Sequence, residues 1–104
     1  MPAFILFDIR DVTNPAKLDA YKAGVLPTVE AHGGRYRVLG GPTEAHEGDL
    51  PMATPVLIEF PTAQAARAWH GSEAYRPLLK LRTEGTASAA LLIAGCDHPP
   101  AGLG

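Results

Sequence analysis

Six side chains in this chain have the types and the spacing to build a small-molecule site. His32 closes an apolar helical stripe of Tyr21, Val25 and Val29. It is therefore aimed inward, while the end of the helix favours its charged form. An imidazole so placed suits a general acid or base; the plainer alternative is a capping histidine beside Gly33 and Gly34. Arg82 shares a stripe with Tyr75, Leu78 and Leu79, so its guanidinium either pairs with a ligand carboxylate or joins an internal salt bridge with Glu59 or Asp8. Tyr36, Trp69 and Tyr75 could wall a pocket or simply pack in the core, and Glu59 is the polar partner expected beside them.

Other chemistries fit less well. Asp8 and Glu59 are a possible carboxylate pair, but antiparallel strands would set them roughly 10 Å apart at ~3.4 Å per residue, too far to share a proton. His46 among Glu44, Glu47 and Asp49, and the Cys96–His98 pair, supply too few ordered ligands for a structural zinc site. His70 next to Trp69 reads as an exposed charge at a helix end rather than a haem ligand. No metal and no cofactor is expected.

Those side chains must be held by a scaffold of 104 residues and 11.0 kDa, enough for one domain with its own core. A net charge of -2, with no Lys/Arg run, argues against nucleic acid. The apolar run Ala3 to Phe7 is too short for a membrane span or a signal segment, and one cysteine suits a reducing compartment, so a cytoplasmic protein is expected.

Ala3 to Arg10 reads as a strand whose two faces both begin apolar. Asn14 and Pro15 then start a helix that Pro27 should bend and that ends near His32, with Gly33 or Gly34 as a left-handed cap. Arg35 to Leu39 and Thr54 to Phe60 are the next strands, joined by the Gly-, Pro- and acid-rich stretch from Gly40 to Ala53, which is expected to be mobile. Thr62 caps a helix that Gly71 closes, and Ser72 caps a further short segment that Pro77 should distort. Thr86 to Ala94 is a fourth strand, apolar on both faces. One domain over residues 1–96 and a flexible tail over 97–104 complete the expected organisation.

The order βαββαβ with right-handed crossovers makes an α+β ferredoxin-like split sandwich with both helices on one face of an antiparallel sheet. The other face is then bare. Large residues from sets such as Ile5, Phe7, Leu57 and Leu91 would each forgo roughly 1.5–3 kcal/mol of burial, a sum comparable with the stability of a whole domain. A homodimer stacked sheet on sheet removes that exposure.

The chain resembles the domain of unknown function 1330 family of the dimeric α+β barrel superfamily. The resemblance runs through Pro27-Thr28-Val29, Ala31-His32-Gly33-Gly34-Arg35-Tyr36, Gly40-Gly41 and Leu57-Ile58-Glu59-Phe60-Pro61. It continues in Ala65-Ala66-Arg67-Ala68-Trp69, Ser72, Tyr75 and Leu81-Arg82. It implies a ferredoxin-like dimer and does not select a reaction; superfamily relatives include cofactor-free monooxygenases, small isomerases and haem-handling enzymes. The expected function is binding of a small, partly apolar or aromatic molecule by a homodimer, with cofactor-independent catalysis through His32 as the stronger form. The alternative is an assembly module with no small-molecule site. An RNA-recognition domain would need basic aromatic motifs where Thr54 to Phe60 reads Thr-Pro-Val-Leu-Ile-Glu-Phe, and a metallochaperone would need cysteines between Asp11 and Asn14.

Overall fold

The structure is a computed structural model that describes residues 1–102. The last two residues of the expected tail, 103 and 104, lie outside the described residues. In chain order the elements are β1 (Ala3–Val12), α1 (Pro15–Glu30), β2 (Arg35–Leu39), β3 (Pro55–Phe60), α2 (Ala63–His70), α3 (Arg76–Gly85) and β4 (Thr86–Ala94). The strands form one four-stranded sheet in the order β2-β3-β1-β4, with every neighbouring pair antiparallel.

Local signals fix the helix starts. The Asn14 side chain accepts a bond from Lys17 N, and Pro15 stands in the first turn, where its lack of an N–H is harmless. Thr62 caps α2 in the same way through Ala65 N at 3.0 Å. α1 runs through Pro27 to Glu30, two residues short of His32, and Gly33 takes the left-handed conformation with φ of 75°. Pro77 does not distort the last helix. It falls at the start of α3, after a turn in which Ser72 Oγ accepts from Tyr75 N, so the ring costs no helical bond.

The core lies between the sheet and the helices. Ile5, Phe7, Val56, Ile58 and Phe60 from β1 and β3 meet Leu18, Tyr21, Val25 and Val29 of α1, Ala66 and Trp69 of α2, and Tyr75. Gly85 seats the end of α3 on the start of α1: its carbonyl accepts from Thr13 N and Asn14 N at 2.9 and 3.0 Å. A Cβ there would meet Lys17 Cβ at 3.0 Å. The Lys17–Glu84 ion pair at 2.6 Å closes the same junction.

The register settles which residues face away from the helices. Leu6 stands opposite Leu57 on one side and Leu91 on the other, and Leu57 opposite Val38, so one apolar row crosses all four strands. Phe4 and its neighbour Ile93 lie beside that row. Ile5 and Phe7, which the sequence reading grouped with Leu57 and Leu91, point the other way and are buried beneath the helices. Both sets are apolar, so composition could not separate them. Leu91 and Ile93 are 54% and 41% exposed, and the bare face is real.

Candidate functional site

A cavity of about 560 Å³ opens between α1 and the sheet. Its floor is buried: Phe7, Tyr21, Val56, Ile58 and Arg82. Its mouth is exposed, with Val12, Lys22, Leu26 and Leu39 around it. Volume and lining are those of an ordinary small-molecule site, mostly apolar with a few placed polar groups.

Two irregularities in the sheet make this shape. Ile9 and Val12 both line the cavity, as do Tyr36 and Leu39. Residues three apart in a regular strand fall on opposite faces. The register shifts between Ile9 and Asp11 in β1, and between Tyr36 and Val38 in β2, turning both pairs to the same side.

Arg82 is the principal polar group. It is only 4% exposed, and among the described residues no ion pair includes it. Its guanidinium carbon sits 4.8 Å from the centre of the Phe7 ring, a cation–π contact. Nη1 donates to Ser88 Oγ at 2.7 Å. The Thr86 hydroxyl lies 3.0 Å from Ser88 Oγ and donates to the Arg82 carbonyl at 2.6 Å. This closed loop of bonds pins the side chain from its own helix end. Nε is buried and has no partner among the described residues.

Phenols share the cavity region with that cation. The Tyr21 and Tyr75 hydroxyls are 3.0 Å apart, and Tyr36 lines the cavity next to them. Desolvation, then the neighbouring Tyr75, pushes Tyr36 up to about 12. Burial raises Tyr21 further, with Tyr75 second and Arg82 opposing. The Tyr21 and Tyr36 hydroxyls are therefore neutral hydrogen-bonding groups near neutral pH.

Of the six residues singled out from sequence, the structure brings Arg82 and Tyr36 together in the cavity. Trp69 and Tyr75 are fully buried in the core, with ring centres 4.1 Å apart. Tyr75 reaches the cavity through its bond to Tyr21, while Trp69 Nε1 donates to Thr28 Oγ1 at 3.0 Å. His32 is bound through Nδ1 to the Thr28 carbonyl at 3.0 Å in the turn after α1 and does not line the cavity. Glu59 is on the opposite face of the sheet, paired with Arg37 at 3.0 Å. Arg82 meets neither Glu59 nor Asp8. Asp8 instead accepts from Ala53 N and Thr54 N at 2.9 and 3.0 Å and from Arg10 at 3.2 Å. The Thr54 bond foremost holds its carboxyl below the ordinary range, so Asp8 anchors the end of the long β2–β3 loop. Sequence reasoning placed Tyr21 on the core stripe and missed that it also lines the site; its signal was the inward stripe it shares with Val25.

A shallower groove of about 390 Å³ runs between α2 and β4, where His70 stands near Ala66 and Leu92. Desolvation and then the Arg82 charge lower the pKa of His70. Among the described residues no group of His, Cys, Asp and Glu could hold a metal ion, and no helix is long and apolar enough to cross a membrane. Cys96 is exposed, and His46 pairs with Glu44 at 2.7 Å.

A four-stranded antiparallel sheet with helices on one face, and a cavity between the two layers, defines a ferredoxin-like α+β protein. Residues 2–96 match the model of the family described as Domain of unknown function (DUF1330), and the chain belongs to that family. No curated protein sequence matches the chain. Among solved structures it is similar to a protein of unknown function from Rhodopseudomonas palustris, with TM-score 0.72 and 18% identity over 92% of this chain and 83% of that one. It is also similar to SnoaB, a cofactor-independent oxygenase from Streptomyces nogalater, with TM-score 0.56 and 14% identity over 95% of both chains. A putative antibiotic biosynthesis monooxygenase from Caulobacter crescentus is similar at TM-score 0.57 and 11% identity, over 92% of this chain and 91% of that one. At these identities the likeness is one of fold.

Proposed function

We propose that this protein binds a small, partly apolar molecule in the cavity between α1 and the sheet, and does so as a homodimer joined through the bare sheet face. The observation that carries the first part is the cavity itself: about 560 Å³, walled chiefly by Phe7, Ile9, Val25, Val56 and Ile58, with Arg82 in its floor. An apolar hollow of this size, left open beside a well-packed core, is what a ligand site requires. The second part rests on the row Val38, Leu57, Leu6 and Leu91, which crosses the whole sheet with no helix over it. A two-fold axis lets one such row cover another.

In this reading Arg82 and Tyr36 face the ligand. Tyr75 and Trp69 hold the floor from behind, His32 and Glu59 serve the scaffold at the end of α1 and on the far face, and no resident cofactor is required. The likeness to SnoaB makes cofactor-independent turnover of the bound molecule the finer form of the reading. The assembly-module alternative keeps the bare face and gives the cavity no ligand.

The test is an NMR titration with 2-naphthylmethanol, a neutral, largely aromatic probe. Shifts confined to Tyr36, Val56, Ile58 and their neighbours, and abolished in Val56→Phe, which puts a ring into the cavity, support the site. Saturating probe with no shifts in those residues leaves only the assembly module.

A further inference from the structure

The donors and acceptors at the cavity floor do not balance, and the imbalance names a ligand class. Arg82 lies under the floor with one positive charge, and its Nη1 is committed to Ser88. Among the described residues the buried Nε–H has no partner, and Nη2 makes no hydrogen bond to protein. Nη2 carries the N–H groups left to receive a carboxylate oxygen in a charge-assisted bond. The Tyr36 hydroxyl, neutral and without a protein hydrogen bond among the described residues, is a further donor in the cavity lining. Among the described residues no carboxylate lines the cavity. A buried guanidinium without a counter-charge among the described residues is costly, and an anionic group held in the cavity would supply one.

Resting on the binding site proposed above, we infer that its ligands are aromatic or aliphatic monocarboxylates, bound with the carboxylate inward on the Arg82 guanidinium and the apolar body toward Leu26 and Leu39 at the mouth. The orientation follows from exposure. Arg82 is at the buried floor, whereas Leu26 and Leu39 are 49% and 72% exposed and would be covered by an emerging apolar tail. A single charge follows because the other cation in the lining, Lys22, is at the exposed mouth. A second negative charge at the floor would have no partner. Cationic ligands would face Arg82 with nothing to balance them.

The inference is tested by titrating the intact protein near neutral pH with three probes of one ring system: 2-naphthoate, 2-naphthylmethanol and 2-naphthylmethylammonium. Affinity should fall in that order, with naphthoate ahead of the alcohol by about tenfold or more, the weight of a charge-assisted bond. In ¹⁵N NMR spectra an arginine Nε–H resonance should move with naphthoate and not with the alcohol. Arg82→Gln should remove the advantage of naphthoate over the alcohol. Equal binding of naphthoate and alcohol by the unaltered protein overturns the inference and leaves the cavity as a neutral binding site. Binding of neither probe overturns the site together with it. Should Arg82→Gln fail to fold, the three-probe comparison and the Nε–H resonance in the unaltered protein still decide.

Discussion

Replacing Arg82 with methionine separates a residue kept for binding from one kept for folding. In the folded chain the guanidinium is buried with no counter-ion among the described residues, an effective penalty of several kcal/mol for a buried charge. Against this stand its charged bond to Ser88, about 1.5–3 kcal/mol, and its contact with the Phe7 face, about 0.5–2 kcal/mol. The two sides nearly cancel. Methionine fills much of the same space with an adaptable apolar chain and leaves Ser88 bonded to Thr86. Stability should therefore stay within about 1 kcal/mol of the parent, or roughly 4–8 °C in Tm, while the preference for naphthoate disappears. Urea unfolding followed by far-ultraviolet circular dichroism gives the comparison, at one protein concentration because association would shift the midpoint. A loss of about 3 kcal/mol or more is what breaking a fully compensated buried ion costs. Such a result would refute the argument that Arg82 is unpaired in the unliganded protein.

Leu91→Glu together with Ile93→Glu puts two charges on the bare face at positions already exposed in the protomer. Sedimentation should then show a folded monomer where the parent shows a dimer, and a parent that sediments as a monomer at tens of micromolar removes the dimer from the reading. Asp8 has a folded pKa below its ordinary value of 3.8. Its contribution is complete above that value and lost as pH falls through the lower folded value, so acid unfolding should be less steep in Asp8→Asn than in the parent. Gly34→Ala would set a Cβ 2.6 Å from Val29 Cγ1 and 2.8 Å from Phe60 Cε1. Both are core atoms, and the overpacking should lower stability by about 1–3 kcal/mol in the same urea assay.

Much of the fold was legible because its punctuation is local. Asn14 with Pro15, Thr62 and Gly71 each do their work through the nearest backbone groups, and the structure shows them doing so. Pro77 misled for the same reason in reverse: its meaning depends on whether the helix starts before or after it, which the Ser72 turn decides. The faces of β1 were not legible, since Phe4 and Leu6 are as apolar as Ile5 and Phe7, and only pairing with β3 and β4 tells them apart. Glu59 was readable in principle: Val56, Ile58 and Phe60 alternate inward, which sends Glu59 out. In the site, the helical stripe through Tyr75 and Leu78 pointed to Arg82. Val12 and Leu39 were hidden because strict alternation assigns them to the wrong side, and the register shifts that correct it leave no residue signature in Arg10 or Arg37.

Those two added residues have a wider consequence. They turn the lips of the hollow by backbone counting alone, while the arginine and the phenols beneath are fixed by helix packing. Trimming either strand by one residue would rotate one lip outward and leave the charge at the bottom in place. Entry to the hollow and grip inside it are thus set by separate parts of the chain, free to change one at a time.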